Sequence, residues 1–372
     1  MISRHFSHAS KGRGGEWQLP RAAPTPVYQL RLAPLPPEAR AQLLSTLEAW
    51  AAVRGCRLAT VSADDDVVYL DGKPTAVELE ELSAMDGVAK LTAEDARPSS
   101  LPAPTGATPP VRVFAGPCSV EDEDRLLALA ASLKEAGATA LRGGAFKPRT
   151  SPYAFQGLGR EGLEVLARVS AATGLPVVTE VLDPRDLDLV AEHAAMLQVG
   201  SRNMSNAALL KEVGRAGKPV LLKRGMAATL DEFLYAAEYV ALGGCPEIML
   251  CERGLRHFDP AVRNLLDLAA VPALKQRTGL PVFVDPSHGT GRASLVAPMM
   301  QAALAAGADG LLVEVHATPD AAWSDASQAL PLSSFRELMP QLARVLEALG
   351  RTLDSPQDLP RASAPAGSPD HG

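Results

Sequence analysis

Four residues far apart in the chain form a mixed set of metal donors: Cys118, His288, Glu314 and Asp325. A thiolate is soft, an imidazole borderline and a carboxylate hard. Together they suit Mn²⁺, Fe²⁺, Co²⁺ or Zn²⁺ better than Mg²⁺ or Ca²⁺. A second set is cationic: Arg142, Lys147, Arg149, Arg202, Lys223, Arg224 and Arg253. The net charge is -7, so cations gathered at one place imply phosphate or carboxylate ligands held by charge-assisted contacts. They are enough for two phosphorylated substrates. The sharpest anion-binding candidate is Lys147-Pro-Arg-Thr150, where Gly143, Gly144 and Pro148 constrain the backbone.

These residues follow a repeated element. Thr173-Gly-Leu-Pro-Val-Val-Thr-Glu180 matches Thr278-Gly-Leu-Pro-Val-Phe-Val-Asp285, and Ala216-Gly-Lys-Pro-Val-Leu-Leu-Lys223 has the same frame. Each reads as a helix end, a glycine at the C′ position and a short strand buried on both faces. The strands are predicted over 112–115, 140–142, 177–180, 196–199, 220–223, 248–251, 282–285 and 310–314. Eight such units in about 240 residues predict a (β/α)₈ TIM barrel of the α/β class. A doubly wound open sheet is the alternative, but no glycine-rich dinucleotide fingerprint follows the first strand. In a barrel the chemistry lies at the C-terminal strand ends, which read Cys118, Arg142, Glu180, Arg202, Lys223, Arg253, His288 and Glu314. A solvated loop explains any one of these polar exits, but not nearly all of them on one rim.

Before the barrel, residues 27–96 follow a βαββαβ order, the pattern of a small α+β ferredoxin-like domain. Nothing in it has the make-up of a catalytic site, and Cys56 reads as a small buried hydrophobe. Residues 97–110 carry five prolines and read as a stiff linker, leaving 111–350 for the barrel. Residues 1–26 hold Arg4, Lys11, Arg13 and Arg21 against Glu16. They read as a disordered extension, with an organelle transit peptide as the alternative. Residues 351–372 read as a disordered tail. The acidic charge and 4% aromatic content exclude a generic nucleic-acid binder. No apolar run approaches the roughly 18 residues of a membrane span. Four cysteines are too few for a disulfide scaffold, so a cytoplasmic protein is expected.

The runs Ala115-Gly-Pro-Cys-Ser-Val120, Leu141-Arg-Gly-Gly-Ala-Phe-Lys-Pro-Arg-Thr-Ser-Pro-Tyr153, Gly200-Ser-Arg-Asn-Met-Ser-Asn206, Leu222-Lys-Arg-Gly225, Cys251-Glu-Arg-Gly254, Asp285-Pro-Ser-His-Gly-Thr-Gly291 and Ser324-Asp325 resemble 3-deoxy-D-arabino-heptulosonate-7-phosphate (DAHP) synthases. The likeness is to the type I subgroup close to the 3-deoxy-octulosonate-8-phosphate synthases, and it covers about residues 111 to 350. It implies condensation of phosphoenolpyruvate with erythrose 4-phosphate, the first step of the shikimate pathway. It implies a divalent metal on Cys118, His288, Glu314 and Asp325. Phosphoenolpyruvate would meet Arg142, Lys147, Arg202, Lys223 and Arg253, and the phosphate of erythrose 4-phosphate would meet Arg149 and Thr150. Glu180 and Lys147 are the candidates for moving protons. The octulosonate synthases characteristically carry Asn-Arg-Ser-Ser where this chain has Lys-Pro-Arg-Thr. His257 and Ala326 depart from the family pattern, which usually has Thr and Gly there. A homo-oligomer, dimer or tetramer, is expected, as is an aromatic amino acid acting on the small domain. Three alternatives stay open: an octulosonate synthase using arabinose 5-phosphate, a Schiff-base class I aldolase on Lys223, and a non-catalytic sensor.

Overall fold

The computed structural model describes residues 27–60, 66–94, 100–106, 108–149 and 151–354. The expected extension at 1–26, most of the expected tail and Thr150 lie outside them. The chain divides into two compact units, Met1–Arg97 and Pro98–Gly372.

The first unit runs β1 (Val27–Leu32), α1 (Pro37–Val53), β2 (Arg57–Thr60), β3 (Val67–Asp71), α2 (Ala76–Ser83) and β4 (Val88–Glu94). Its sheet has the order β2-β3-β1-β4 with antiparallel neighbours, which is the ferredoxin-like arrangement. Alternation decides the buried face: Leu30 and Leu32 of β1, with Val68 and Leu70 of β3, meet Leu43, Leu47 and Leu82 from the helices. Thr75 and Glu78 close a reciprocal capping box that starts α2, as the Thr-x-x-Glu spacing requires.

The second unit holds eight parallel strands, β5 (Arg112–Gly116), β6 (Ala140–Arg142), β7 (Val177–Glu180), β8 (Met196–Val199), β9 (Val220–Lys223), β10 (Ile248–Glu252), β11 (Val282–Val284) and β12 (Gly310–His316). They follow one another around the sheet, and β11 pairs with β12 to close it. Helices follow the strands: α3 (Glu123–Glu135), α4 (Arg160–Thr173), α5 (Leu187–His193), α6 (Ala207–Arg215), α7 (Leu230–Leu242), α8 (Ala270–Arg277), then α9 (Pro286–Thr290), α10 (Ala293–Ala305) and α11 (Leu332–Ala348). Outward strand residues such as Leu141, Val177, Leu222 and Val313 pack against the helices in one continuous core. Inward residues Phe114, Ala140, Val178, Met196, Leu221, Met249, Phe283 and Leu312 fill the barrel.

Two stretches assigned from composition to linker and tail are hydrogen-bonded to the barrel. The Pro102 carbonyl accepts from the backbone N–H of Gly279 at 2.7 Å. At the far end, Val111 N–H donates to Thr352 O and Asp354 N–H to Val111 O, each at 2.8 Å. Arg351 also reaches Asp309. Composition reports a chain's intrinsic preference; it does not register backbone groups satisfied by a neighbouring element.

Candidate active site

Side chains on a strand alternate between its two faces. Two residues beyond each inward core residue, toward the C-terminal end, stand Arg142 after Ala140, Glu180 after Val178, Gln198 after Met196 and Lys223 after Leu221. Asp285 follows Phe283, Glu314 follows Leu312, and Arg253 lies two beyond the inward Cys251. The face that fills the barrel with carbon therefore continues into a polar layer at its mouth. This layer borders a cavity of about 210 Å³, lined by Arg142, Lys147, Arg149, Glu180, Gln198, Arg202, Lys223, Arg253, Arg263, Asn264, His288 and Asp325 among others.

One side of the mouth gathers the donor set. Cys118, Glu314 and Asp325 offer ligand atoms within 4.8 Å of one another, and His288 Nε2 lies 3.4 Å from Glu314 Oε1. The Cys118 thiol donates to Asp325 Oδ2 at 3.0 Å. Lys147 Nζ donates to Cys118 Sγ at 2.8 Å and to its carbonyl at 2.9 Å. Burial first, and then the Glu314 charge, push the Cys118 thiol up to about 12 against the opposing Lys147 and Arg142. Burial works to raise Asp325 as well. The Cys118 hydrogen bond, His288 once protonated in acid, and the charges of Arg263 and Lys147 outweigh it and hold the carboxyl at about 2. Burial lowers His288 despite Asp285, so its imidazole is neutral near pH 7.

His288 Nδ1 donates to Asp285 Oδ2 at 2.7 Å, which leaves Nε2 as a lone pair toward the other donors. A neutral imidazole steered by a carboxylate is the arrangement that metal-binding histidines use. Cys118, Glu314 and Asp325 fit a divalent ion on this ground, as two ionised carboxylates and a buried thiol beside a lysine, while the oriented His288 imidazole stands next to Glu314 but outside that group.

The cations divide in two. Arg142 and Lys223 line the cavity and are also anchored by carboxylates: Arg142 Nη1 donates to Glu314 Oε1 at 3.0 Å and to Pro117 O at 2.9 Å. Lys223 is ion-paired with buried Asp285. Burial tends to raise that carboxyl, but His288 and Lys223 hold it well below its usual range. An ammonium locked in such a pair is not a free amine for imine formation. Arg149, Arg202, Arg253 and Arg263 also line the cavity. Arg149 Nε donates to Phe155 O at 3.1 Å, which pins its loop.

Most sequence-predicted site residues thus converge: Lys147, Glu180, Arg142, Arg149, Arg202, Lys223, Arg253, His288 and Asp325 line one cavity, and Cys118 and Glu314 join Asp325 in the donor group. Arg224 does not join them. It pairs with buried Glu252 at 2.9 Å and with Asp267 at 3.0 Å, and so ties loops instead of facing a ligand. Ala326 leaves Asp325 in reach of Cys118, with Asp325 at φ 50°. His257 stacks on the exposed Phe258 ring and does not line the cavity.

Sequence reasoning overlooked Gln198, Asp285, Arg263, Asn264 and Gln328. The two-residue period would have found Gln198 and Asp285 by extending each inward face one step. Arg263 and Asn264 sit on a loop and Gln328 ends a three-residue 3₁₀ turn, where no strand period operates.

Comparison with known proteins shows what this chain is similar to. Over 238 residues the chain is 50% identical to the phospho-2-dehydro-3-deoxyheptonate aldolase of Thermotoga maritima, covering 64% of this chain and 70% of that one. A 2-dehydro-3-deoxyphosphooctonate aldolase of Syntrophotalea carbinolica is 34% identical over 259 residues, covering 64% of this chain and 92% of the relative. The crystal structure of the phospho-2-dehydro-3-deoxyheptonate aldolase (DAHP synthase) of Thermotoga maritima matches with a TM-score of 0.68 and 38% identity, over 89% of this chain and 100% of that one. The sequence pattern of the DAHP synthetase I family matches residues 91–349. That stretch contains the whole closed barrel, its cationic mouth and the cysteine-centred donor set, and the chain belongs to the DAHP synthetase I family.

Proposed function

We propose that the chain catalyses condensation of phosphoenolpyruvate with erythrose 4-phosphate, as a 3-deoxy-7-phosphoheptulonate synthase. The single observation that carries this is one barrel mouth holding both a Cys-Glu-Asp donor group, with His288 beside it, and a ring of cations. Two anionic substrates need the cations. An ion held on the donor set would activate a carbonyl toward a carbon nucleophile. Bound to Cys118, His288, Glu314 and Asp325, a divalent ion such as Mn²⁺, Fe²⁺, Co²⁺ or Zn²⁺ would supply Lewis acidity toward the aldehyde oxygen.

The protein's own residues position the reactants. Arg142, Lys147, Arg202, Lys223 and Arg253 take the phosphate and carboxylate of phosphoenolpyruvate. Arg149 and Thr150 take the phosphate of erythrose 4-phosphate. The enol carbon attacks the aldehyde carbon, water adds to the neighbouring carbon, and phosphate departs as the 2-keto group forms. Phosphoenolpyruvate, erythrose 4-phosphate and water thus give DAHP and phosphate. Lys147 delivers a proton to the new alkoxide, and Glu180, held by Gln198 Nε2 at 3.1 Å, takes one from water. Holding both reactants in one cavity supplies much of the rate.

The unit carrying residues 27–94 works as a regulatory module for an aromatic amino acid, and the chain as a homo-oligomer in the cytoplasm. Among the described residues no helix is long and apolar enough to cross a membrane.

The test is phosphate release from phosphoenolpyruvate with erythrose 4-phosphate or arabinose 5-phosphate. Release is expected with the first and should vanish reversibly on dialysis against a strong chelator. Preference for arabinose 5-phosphate would make the chain an octulosonate synthase. Full activity in metal-free protein would remove the metal from the mechanism.

A further inference from the structure

Strand ends alone do not explain how the metal end is held. Asp325 has φ 50°, the one positive value at a non-glycine among the described residues, so its loop needs external support. That support is Arg263, ten residues beyond Arg253 on the loop after β10. Arg263 Nη1 donates to Asp325 Oδ1 at 3.2 Å and to Gln328 Oε1 at 2.7 Å. Gln328 is 1% exposed, and its Nε2 donates to Glu314 Oε2 at 2.6 Å. The other oxygen of Glu314 is the one that Arg142 holds.

The orientation of the Gln328 amide is the informative point. A guanidinium only donates and a carboxylate only accepts. With Arg263 on one side and Glu314 on the other, one amide orientation makes two good contacts and the flipped one makes two repulsive contacts. Arg263 therefore selects the orientation that holds Glu314. The loop itself is fixed to the histidine turn. Arg263 and Asn264 N–H donate to Thr290 O and Gly289 O at 3.0 and 3.1 Å, and Asn264 Nδ2 donates to His288 O at 2.8 Å. Gly291 makes room for this, since a Cβ there would stand 2.4 Å from Arg263 Cβ.

We propose that Arg263 and Gln328 are positioning residues of the metal end, a relay in which Arg263 holds Asp325 directly and Glu314 through the Gln328 amide. The carboxylates are then set before any ion arrives, and the relay links the loop after phosphate-binding Arg253 to three donors. This rests on the metal-centre reading above.

The test uses the full chain and Co²⁺. In the unaltered protein a thiolate-to-cobalt absorption is expected, lost in Cys118→Ala; its absence would overturn the metal-centre reading itself. Arg263→Met and Gln328→Leu should each weaken Co²⁺ binding about 10- to 100-fold in competition with a chelating dye, the usual effect of losing a partner behind a ligand. KM for phosphoenolpyruvate at saturating Co²⁺ should stay within about 2-fold in Gln328→Leu, since Gln328 does not line the cavity. Because the two act through one relay, the double variant should fall well short of the product of the single losses. Unaltered Co²⁺ affinity in either folded variant, or multiplicative losses in the double, would overturn the relay. A raised KM with unaltered Co²⁺ affinity would make Arg263 a substrate contact and overturn it equally. Gln328→Leu carries the comparison alone if Arg263→Met does not fold.

Discussion

Replacing Gly200 by alanine tests the role of Glu180 without touching Glu180. Gly200 has φ -73° and ψ 160°, a conformation open to any residue, so the backbone accepts alanine without strain. The new Cβ would stand 2.0 Å from Glu180 Oε1 and 2.7 Å from its Cδ. Ordinary contact begins near 3.4 Å, so the carboxylate must retreat by about 1.4 Å, the difference between these distances. It is the far end of a flexible side chain, so folding should survive. Losing one glycine from the unfolded chain adds roughly 0.4–1 kcal/mol of stability in compensation. Catalysis should not survive as well. The retreat displaces the carboxylate that Gln198 Nε2 meets at 3.1 Å, and a misplacement of about 1 Å can cost 100-fold in rate. That is about 2.7 kcal/mol at roughly 1.36 kcal/mol per tenfold. The measurement is kcat for phosphate release, with KM for phosphoenolpyruvate and a melting curve alongside. We expect kcat to fall about 100-fold with KM within a few-fold, because the cations stand on other side chains. An unaltered kcat in folded Gly200→Ala would show that the position of Glu180 does not matter and would remove it from proton transfer.

Arg149→Ala should raise KM for erythrose 4-phosphate about 10- to 100-fold and leave that for phosphoenolpyruvate nearly constant, since an Arg–phosphate contact is worth roughly 1.5–3 kcal/mol; equal effects on both would contradict an aldose-specific role. In acid, stability should fall in two stages. His288, with an ordinary value of 6.5, and Glu314, with one of 4.5, are both lowered in the fold, as are Asp285 and Asp325. The unfolded chain therefore binds each proton more readily. Stability is full above about pH 6.5, declines as unfolded His288 charges, and declines again below about pH 4.5 as the unfolded carboxylates protonate. Melting temperatures of metal-free protein between pH 8 and 3 check this, and a flat profile would refute it. A chain beginning at Pro98 should keep activity and lose inhibition by aromatic amino acids, a coupling usually worth about 5- to 150-fold in affinity. Beginning at Val111 instead should lower the melting temperature, because the Pro102 carbonyl bonds to Gly279 N–H and Thr278 Oγ1 are lost at about 1 kcal/mol each. Equal stability of the two would show that the segment before Val111 contributes nothing.

The chain's local patterns determined its elements. Short apolar runs after a helix set the barrel strands within a residue or two, because burial on both faces needs unbroken carbon; Gly174 and Gly217 end their helices at φ 74° and 67° as expected, whereas α8 ends on the extended Thr278 and Gly279 has no positive φ. The alternation of Tyr28, Leu30 and Leu32, and the Thr75-to-Glu78 spacing, placed elements of the small unit in the same way. The strand-end residues were readable too, since a barrel puts its chemistry at one rim. Partnership was not. Arg142, Lys223 and Arg224 look alike as strand-end cations, yet one meets Glu314, one Asp285 and one Glu252. Which carboxylate each one meets depends on residues 28 to 172 positions away, and of the three Arg142 and Lys223 line the cavity. Arg263 and Gln328 carry no signal in sequence, because loops and 3₁₀ turns have no strand period and their meaning lies in contacts 65 residues apart. Propensity and periodicity are short-range and survive in one dimension. Electrostatic pairing and hydrogen-bond direction exist only between groups that the closed barrel brings within about 3 Å, so the tertiary structure alone decided them.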